Sequence, residues 1–247
     1  IALTATATQS VQQDIIENLK LNNCRSFKGS YLRDNLHIGI KKTEDTRNAL
    51  IRILQKKSGP VIIYVGTRKE SIDFSRILRA SNIESCSYHG GMHADEKQKS
   101  YDLWKNERVR IMVATNAFGM GIDKANVRMV VHMSIPNSIE NFIQEIGRAG
   151  RDGFPSYTVL LYNSNSVLRS EEMKKASIVS PELTQTIYTK LNDYFQIARG
   201  EQPEEPYDFD MQHFVQTYQI HYMNVYYGLM HLQQEDIILY DQQKQRN

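Results

Sequence analysis

The chain has 247 residues, 40% of them apolar, with 30 lysine and arginine against 28 aspartate and glutamate residues and a formal net charge of +2. This composition is typical of a globular protein with a packed core. It permits nucleic-acid binding without indicating it. No apolar run approaches the roughly 20 residues that a membrane-spanning helix needs.

Two further features of the sequence bear on its cellular compartment and on its extent. Its cysteines, Cys24 and Cys86, are too few for a disulfide framework or a structural zinc site, so we expect a reducing compartment. The chain opens with IALTATATQS, without an initiator Met or a secretory signal pattern. We therefore expect a segment of a longer protein.

From about residue 37 to 162, short apolar runs alternate with segments of helical periodicity. The predicted strands lie in LHIGI, VIIYVG, ESCSYHGG, VRIMVATN, VRMVVHMS and YTVLLY. The predicted helices lie in TEDTRNALIRILQKKSG, RKESIDFSRILRAS, HADEKQKSYDLWKNE and SIENFIQEIGRAGR. This alternation predicts an α/β fold with a parallel sheet covered on both faces.

Ligands of such sheets bind beyond the carboxyl ends of the strands. We therefore expect functional residues at 66–68, 89–91 and 115–123, and at the end of the 138–151 helix.

Beyond Tyr162 the pattern changes. Residues 163–199 are polar and helical, and ARGEQPEEPYDFD at 198–210 is typical of a linker because it is rich in Pro, Gly and acidic residues. Residues 211–240 predict a helix, a turn, a second helix and a short strand, DIILY. This is the size of a helix-turn-helix or winged-helix unit.

The stretch QEIGRAGRDG, residues 144–153, places Arg148 and Arg151 three positions apart, each directly after a glycine. A guanidinium is always charged, and its planar fork matches phosphate oxygens. At i and i+3 on a helix end the two side chains face the same way, and the glycines allow close approach. The same pattern also fits two surface arginines at a helix C-terminus, where the helix dipole favours them.

In ATNAFGMGID, a strand is followed within nine residues by Thr115, two glycines and Asp123. Such a loop can offer backbone N–H groups to phosphates and a carboxylate to a ribose or a metal. It also fits an ordinary connection in which Asp123 caps a helix.

Basic and histidine residues follow two other strands. Arg68 could contact a phosphodiester backbone or simply begin a solvated helix. His89 and His93 are spaced like a metal pair, but no third ligand stands at an interpretable spacing. We therefore expect hydrogen bonding or packing, and no metal.

Two nucleotide-binding signatures are missing from the sequence. It contains no G-x-x-x-x-G-K-[ST], and no glycine is followed by lysine. No apolar strand ends in an acidic pair that could hold Mg²⁺. Because these parts cradle a triphosphate, we expect this chain alone to hydrolyse no ATP.

Taken in order, the segments resemble the second motor lobe of the RecQ-family DNA helicases of superfamily 2. LTATAT (3–8) resembles motif III, YLRDNLHIGI the crossing between lobes, VIIYVGTRKE motif IV and SYHGGM the short motif after it. IMVATNAFGMGIDKANVRMVVH resembles motif V, and QEIGRAGRDG resembles motif VI. Each match is modest alone, but their order over residues 3–153 is specific.

The resemblance implies a RecA-like α/β fold and four segments. Residues 1–36 would hold the end of the first lobe and the crossing, and 37–163 the second lobe. Residues 164–202 would form a helical subdomain, and 203–247 a helix-turn-helix or winged-helix unit.

The resemblance also implies roles for individual residues. Arg151 would act as an arginine finger on ATP that, with Mg²⁺, is held mainly by the first lobe; Arg148 would support it and Gln144 would order the pair. Asp123 and Gly121 would contact the nucleotide. The residues implied in DNA contact are Thr67, Arg68, His89, Gly90, Thr115, Thr4 and Thr6.

The chain departs from the family in one respect. RecQ proteins usually follow motif VI with a helical subdomain that holds zinc on four cysteines, whereas residues 154–247 contain no cysteine. We therefore expect no zinc. KLNDYFQIARGEQ at 190–202 still resembles the tail of that subdomain, which we expect to be held by packing among Leu183, Ile187, Leu191 and Phe195.

The function implied is that of the C-terminal part of an ATP-dependent 3′–5′ DNA helicase, which couples hydrolysis to translocation and unwinding in repair or recombination. Its partners would be single-stranded DNA, duplex junctions and the N-terminal lobe, without a membrane. It would work in the cytoplasm with the nucleoid in a bacterium, or in a eukaryotic nucleus. The alternatives are an RNA helicase or annealing ATPase, and a non-catalytic nucleic-acid-binding adaptor. GRAGRDG and AFGMGIDK favour the RecQ family over the RNA families.

Overall fold

The computed structural model describes residues 2–4, 7–30, 33–119, 122–198, 201 and 205–241. The chain divides into two compact units, Ile1–Val167 and Leu168–Asn247. Its helices are α1 (Gln9–Asn18), α2 (Thr46–Lys56), α3 (Arg68–Ala80), α4 (Ala94–Lys105), α5 (Ile139–Ile146), α6 (Ser164–Ser177), α7 (Pro181–Phe195), α8 (Met211–Tyr218) and α9 (Tyr222–Gln234). Its strands are β1 (Leu36–Lys42), β2 (Val61–Tyr64), β3 (Ser85–Tyr88), β4 (Ile111–Ala114), β5 (Met129–His132) and β6 (Ser156–Tyr162).

The six strands of the first unit form one parallel sheet in the order β1-β6-β5-β2-β4-β3. The three central strands β5, β2 and β4 are buried along their whole length. Ile62 of β2 stands in register between Met112 of β4 and Val130 of β5. Strands covered on both faces require continuous apolar runs, so the predicted parallel sheet is confirmed.

Each face of the sheet has its own apolar layer. On one face, Leu50 and Leu54 of α2 and Leu78 of α3 pack against the sheet. On the other, Trp104 of α4 and Phe118 pack against it. Here the described residues between β4 and β5 contain no helix, so Phe118 covers the sheet from a loop.

The second unit is a small helical bundle. Ile187 and Leu191 of α7 share one core with Phe214 of α8 and Leu229 of α9, as the sequence predicts for α7. Gly228 lets α7 and α9 approach closely, because a Cβ at that position would lie 2.5 Å from Ile187 Cδ1. The core therefore joins helices from both segments that we predict on either side of residue 203.

The predicted strand DIILY is wrong. Asp236 takes a left-handed conformation (φ 55°) just after α9, and the Ile237 N–H donates to Leu232 O at 2.9 Å. Ile238 and Tyr240 pack on the helical core instead of pairing with another strand. The winged-helix interpretation is therefore not confirmed. Among the described helices, none is long and apolar enough to cross a membrane.

The two cysteines lie in opposite environments. Cys24 is exposed, whereas the Cys86 thiol lies 3.5 Å from Ser100 O and 3.7 Å from both Ile111 O and Met112 Sδ. Burial raises the pKa of Cys86 to about 12, so its thiol stays protonated and unreactive at neutral pH.

We expect a thiol-specific label at pH 8 to modify one cysteine rapidly and the other only on unfolding. Mass mapping should place the rapid label on Cys24, and Cys24→Ser should remove the rapid phase. Equal labelling rates for the two thiols would contradict the packing of β3 against β4.

Candidate functional site

The two motif arginines lie in a turn after α5, which we call the arginine turn (residues 147–153). Ser138 caps the start of α5 by accepting from the Asn141 N–H at 3.2 Å. The helix ends at Ile146, and Gly150 then takes a left-handed conformation, φ +63°, that only glycine adopts freely. The expectation that the helix extends to residue 151 is therefore wrong.

The arginine turn lies beside the start of β5. The Gly150 N–H donates to Val127 O at 2.9 Å, and the Asp152 N–H donates to Ala125 O at 3.2 Å. Arg128 Nη2 lies 2.5 Å from both carboxylate oxygens of Asp152 and lowers the pKa of that carboxyl. Because α5 runs back along the parallel sheet, the turn does not share the carboxyl edge with the other predicted loops, contrary to expectation.

Arg148 is a buried charge, with 6% of the residue exposed. Its Nη2 packs against Gly119, where a Cβ would lie 3.2 Å away. Its buried Nε has no hydrogen-bond partner among the described residues. A buried donor without a partner is costly, so the fold does not fully compensate this guanidinium.

Tyr64 lies next to this arginine at the end of β2. Its hydroxyl donates to Phe118 O at 2.8 Å, which fixes the start of the loop after β4. Burial raises the pKa of Tyr64, and the positive charge of Arg148 partly offsets that rise. Tyr64 therefore stays a neutral donor beside Arg148.

Arg151 is the accessible member of the pair, with 38% of its side chain exposed. Its Nη1 donates to Ile122 O at 3.0 Å and lies 3.8 Å from the Asp123 carboxylate, which is 93% exposed. Exposed ion pairs contribute little stability, so Arg151 can exchange this partner for a stronger anion. The structure thus brings Arg148, Arg151 and Asp123 to one loop, despite the loss of the helical spacing.

Three other predicted residues are less engaged or not described. Gln144 lies exposed on α5. Gly121 and Thr6 lie outside the described residues. The alternative that Asp123 caps a helix is wrong, because residues 122–128 form no helix.

A histidine–glutamate pair beside the arginine turn was missed by sequence reasoning. His132 ends β5, is 1% exposed, and its Nε2 lies 2.8 Å from Glu145 Oε2. The imidazole stacks on Tyr64 with ring centroids 5.5 Å apart. The contact ties α5 to the ends of β2 and β5. A polar residue that closes an apolar strand is the signal that could have found it.

Arg33 and Asn35, which precede β1, were also missed. Arg33 Nη2 donates to Gly147 O at 2.6 Å and to Ala149 O at 2.8 Å. Asn35 Nδ2 donates to Gly150 O at 2.8 Å and to Phe154 O at 2.9 Å. Their partners lie 114 to 119 positions away, so no local pattern marks them.

The residues predicted to contact DNA gather at the carboxyl ends of β2 and β3. Thr67 caps α3, because its hydroxyl accepts from the Glu70 N–H at 3.1 Å. This places Arg68 in the first turn, with its guanidinium packed on Gly91, where a Cβ would lie 2.6 Å from Nη1.

His89 is half-buried next to Gly90, and its buried Nδ1 has no partner among the described residues. Burial, and then the charges of Arg68 and Lys97, lower the pKa of His89, so the ring is neutral at pH 7. Thr115 is buried, and its N–H donates to Tyr88 O at 3.1 Å. Thr4 is exposed and precedes α1, so it is distant in sequence from these loops.

The part of the chain that the structure describes holds no group of three or more His, Cys, Asp or Glu side chains placed to bind a metal ion. The donor set at the arginine turn is instead cationic. The accessible guanidinium of Arg151 fits phosphate oxygens, and so fits ATP presented from outside this chain, while the buried Arg148 adds positive charge nearby.

Comparisons with known proteins identify the domain to which these residues belong. Residues 45–153 match the helicase conserved C-terminal domain. The chain is 37% identical over 169 residues to the ATP-dependent DNA helicase RecQ of Bacillus subtilis, covering 68% of this chain and 29% of that protein. Residues 45–153 thus form a helicase C-terminal domain, and we call the part of the chain that contains it the helicase lobe.

Further relatives of this helicase lobe also carry helicase names. It is 40% identical over 163 residues to the ATP-dependent helicase wrn-1 of Caenorhabditis elegans, covering 63% of this chain and 15% of that protein. It is 41% identical over 165 residues to a protein of Acanthamoeba polyphaga mimivirus provisionally named an ATP-dependent RNA helicase. That match covers 66% of this chain and 30% of that protein. The chain thus spans between 15% and 30% of the length of these three relatives.

The fold also matches a solved structure. A DEAD box protein from the hyperthermophile Methanococcus jannaschii superimposes with a TM-score of 0.50 at 24% identity, over 57% of this chain and 40% of that chain. The helicase lobe is therefore RecA-like, with a parallel sheet between layers of helices.

Gly150 and Gly153 offer a matched test of the arginine turn. Both have positive φ, but a Cβ at Gly150 would lie 2.6 Å from Asn35 Nδ2 and 2.7 Å from Ser156 Oγ, whereas nothing lies within 4 Å at Gly153. We expect Gly153→Ala to lower the free energy of unfolding by about 1–2 kcal/mol from backbone strain. We expect Gly150→Ala to lower it by about 2–4 kcal/mol because overpacking is added.

Urea unfolding followed by the fluorescence of Trp104, the single tryptophan and buried in this unit, measures both values. Equal losses from the two substitutions would contradict the close packing around Gly150.

Proposed function

We propose that this chain is the C-terminal portion of an ATP-dependent 3′–5′ DNA helicase in which Arg151 is the arginine finger and Arg148 supports it. The observation that supports this most is the state of the pair. The Arg148 guanidinium is buried, its Nε has no hydrogen-bond partner among the described residues, and its Nη2 packs against Gly119. The Arg151 guanidinium is accessible, donates to Ile122 O and forms a weak ion pair with Asp123.

When bound between the lobes, ATP supplies the phosphoanhydride bond whose hydrolysis drives the motor. Arg151 leaves Ile122 O and Asp123 and places its fork on the γ-phosphate oxygens, where charge grows during transfer. Arg148 stays in its buried position, and its positive charge adds to the favourable electrostatic potential at the phosphate. An arginine finger contributes roughly 10³–10⁵ in rate, or about 4–7 kcal/mol of barrier.

The nucleotide-facing roles of Gln144, Gly121 and Asp123 belong to the same proposal. Gln144 would order the pair from α5. Asp123 would hold Arg151 near Ile122 O until a phosphate replaces it, which keeps the finger close to its working position between cycles. Mg²⁺ would enter with the nucleotide on the first lobe.

We propose that the DNA strand binds at the carboxyl ends of β2, β3 and β4. Arg68 supplies the charge, His89 supplies a neutral donor or acceptor, and the glycines at 90 and 91 allow the phosphate backbone to approach. Thr67 and Thr115 act through backbone groups, while Thr4 and Thr6 would couple the grip to hydrolysis. Contacts to phosphate carry no sequence information, as a translocating motor requires, and they predict strong salt dependence.

DNA is the proposed substrate because the motif wording and the relatives named as DNA helicases favour it. Repair or recombination, junction DNA and a nucleoid or nuclear site follow from the same resemblance. RNA is the second candidate, because one relative of comparable identity carries an RNA helicase name. No zinc is proposed, because residues 154–247 contain no cysteine.

The test is nucleic-acid-stimulated ATP hydrolysis by the intact helicase chain, with the first lobe included, at matched ATP occupancy. We expect Arg151→Ala to lower kcat by about a thousandfold or more while nucleotide binding is retained, since the first lobe holds ATP. Single-stranded DNA should stimulate the wild type more than RNA of the same sequence. The 247-residue chain alone serves as the background and should show no turnover.

Arg76→Ala is the matched control. Arg76 is an exposed arginine on α3 whose only role in the described residues is a surface ion pair with Asp73 at 3.5 Å. Its loss should leave kcat unchanged. A wild-type rate from Arg151→Ala, or turnover by the isolated chain, would contradict the two-lobe account.

A further inference from the structure

We propose that Arg33 and Asn35 are positioning residues for the arginine pair: from the segment before β1, they hold the backbone on which Arg148 and Arg151 stand. The proposal rests on the proposed function of that pair. It adds two residues that contact neither the nucleotide nor the DNA strand and that act by positioning the arginine finger.

The contacts bracket each functional arginine. Arg33 donates to Gly147 O and Ala149 O, the carbonyls immediately before and after Arg148. Asn35 donates to Gly150 O, which precedes Arg151, and to Phe154 O, at the far end of the turn. In each case a single NH₂ group bridges two carbonyls, so each bridge fixes the spacing of two peptide groups.

The turn requires such support because it is not a regular element. The last carbonyls of a helix have no partner within it, and two glycines with positive φ, Gly150 and Gly153, give the backbone many accessible conformations. The Asn35 amide occupies the space that a Cβ at Gly150 would fill. The Ser156 N–H donates to Asn35 O at 2.8 Å, which anchors Asn35 itself to the start of β6.

Charge is the second indication that these contacts serve the site. Burial, and then the positive charge of Arg151, lower the pKa of Arg33. The guanidinium groups of Arg33 and Arg151 therefore stand close enough to repel one another. Converging cations favour an incoming polyanion.

The contacts of Arg110 provide a structural control of the same chemistry. This arginine precedes β4 and donates to Lys57 O and to Leu54 O, the latter at 2.9 Å. It thus braces the end of α2 with one guanidinium and two carbonyls, as Arg33 braces the arginine turn. Gln98→Glu is the matching control for Asn35→Asp, because the Gln98 amide also donates to an oxygen, Asp102 Oδ1, at 2.9 Å.

The experiment is a double-mutant cycle in the intact helicase chain. We expect Arg33→Ala and Asn35→Asp each to lower kcat for ATP hydrolysis by roughly 10–100-fold, because displacements of about 1 Å can cost 10²-fold. KM for ATP should change little, since the first lobe binds the nucleotide. In the Arg151→Ala background the same substitutions should cause less than about a twofold further loss, because residues that act as one unit are not additive.

The controls separate positioning from stability. Arg110→Ala and Gln98→Glu should leave kcat unchanged, even where Arg110→Ala lowers the melting temperature as much as Arg33→Ala does. Arg33→Lys keeps the charge but loses the planar NH₂ group; it provides a folded variant if Arg33→Ala does not fold, and it should retain an intermediate kcat.

The outcomes are distinguishable. If Arg33→Ala, Asn35→Asp and Arg110→Ala lower kcat only in proportion to lost stability, or if their effects add in full to that of Arg151→Ala, the positioning role is overturned while the finger stands. If Arg151→Ala itself hydrolyses ATP at the wild-type rate, the proposed function fails and this inference fails with it.

Discussion

The positive φ of Gly150 is the constraint on which the functional part of this lobe depends. After α5 has ended at Ile146, it turns the chain toward β6, so that Arg148 and Arg151 leave the helix yet still contact one loop. The absence of a side chain at the same position makes room for the Asn35 amide. One residue type thus sets both the direction of the arginine turn and the contact that braces it. The glycine before Arg148 has no such role in φ, since Gly147 lies in the right-handed region.

Two buried cations, Lys124 and Arg148, differ in how well the fold compensates their charge. Lys124 is buried, and its Nζ donates to Lys105 O and Glu107 Oε1, both at 2.9 Å. Such a charge is compensated by its partners, which hold Lys124 against the end of α4. Arg148 is equally buried, but its Nε has no partner among the described residues. An unpaired buried donor costs stability, and here that cost falls on an arginine that we place in the candidate site.

The sheet could be predicted from sequence because it depends on local patterns. Apolar runs such as VIIYVG and VRIMVATN recur along the first unit and supply one another with partner strands, and the helices between them follow from periodicity. The arginines and Asp123 could also be proposed, because they stand in short recognisable motifs. The strand DIILY could not be judged this way, since a short apolar segment becomes a strand only if a partner strand is available. Here the helical core is available instead.

The bracing contacts could not be predicted, for a related reason. Arg33 and Asn35 donate to backbone carbonyls, and a carbonyl is present at every residue, so the partner leaves no trace in the sequence. His132 and Glu145 are 13 positions apart but meet only because α5 folds back over β5. The geometry of the site therefore comes from long-range contacts, whereas its chemistry comes from motifs.

The central claim is that Arg151 acts on the transition state of hydrolysis. The most direct measurement compares the affinity of the intact helicase for ADP–aluminium fluoride, a mimic of the transferring phosphoryl group, with its affinity for ADP, in the wild type and in Arg151→Ala. An interaction made only in the transition state should be lost from the analogue and spared in the product complex. The account predicts that Arg151→Ala weakens analogue binding by about a hundredfold or more and leaves ADP binding within about threefold of the wild type. Equal weakening of both ligands, or of neither, would contradict it.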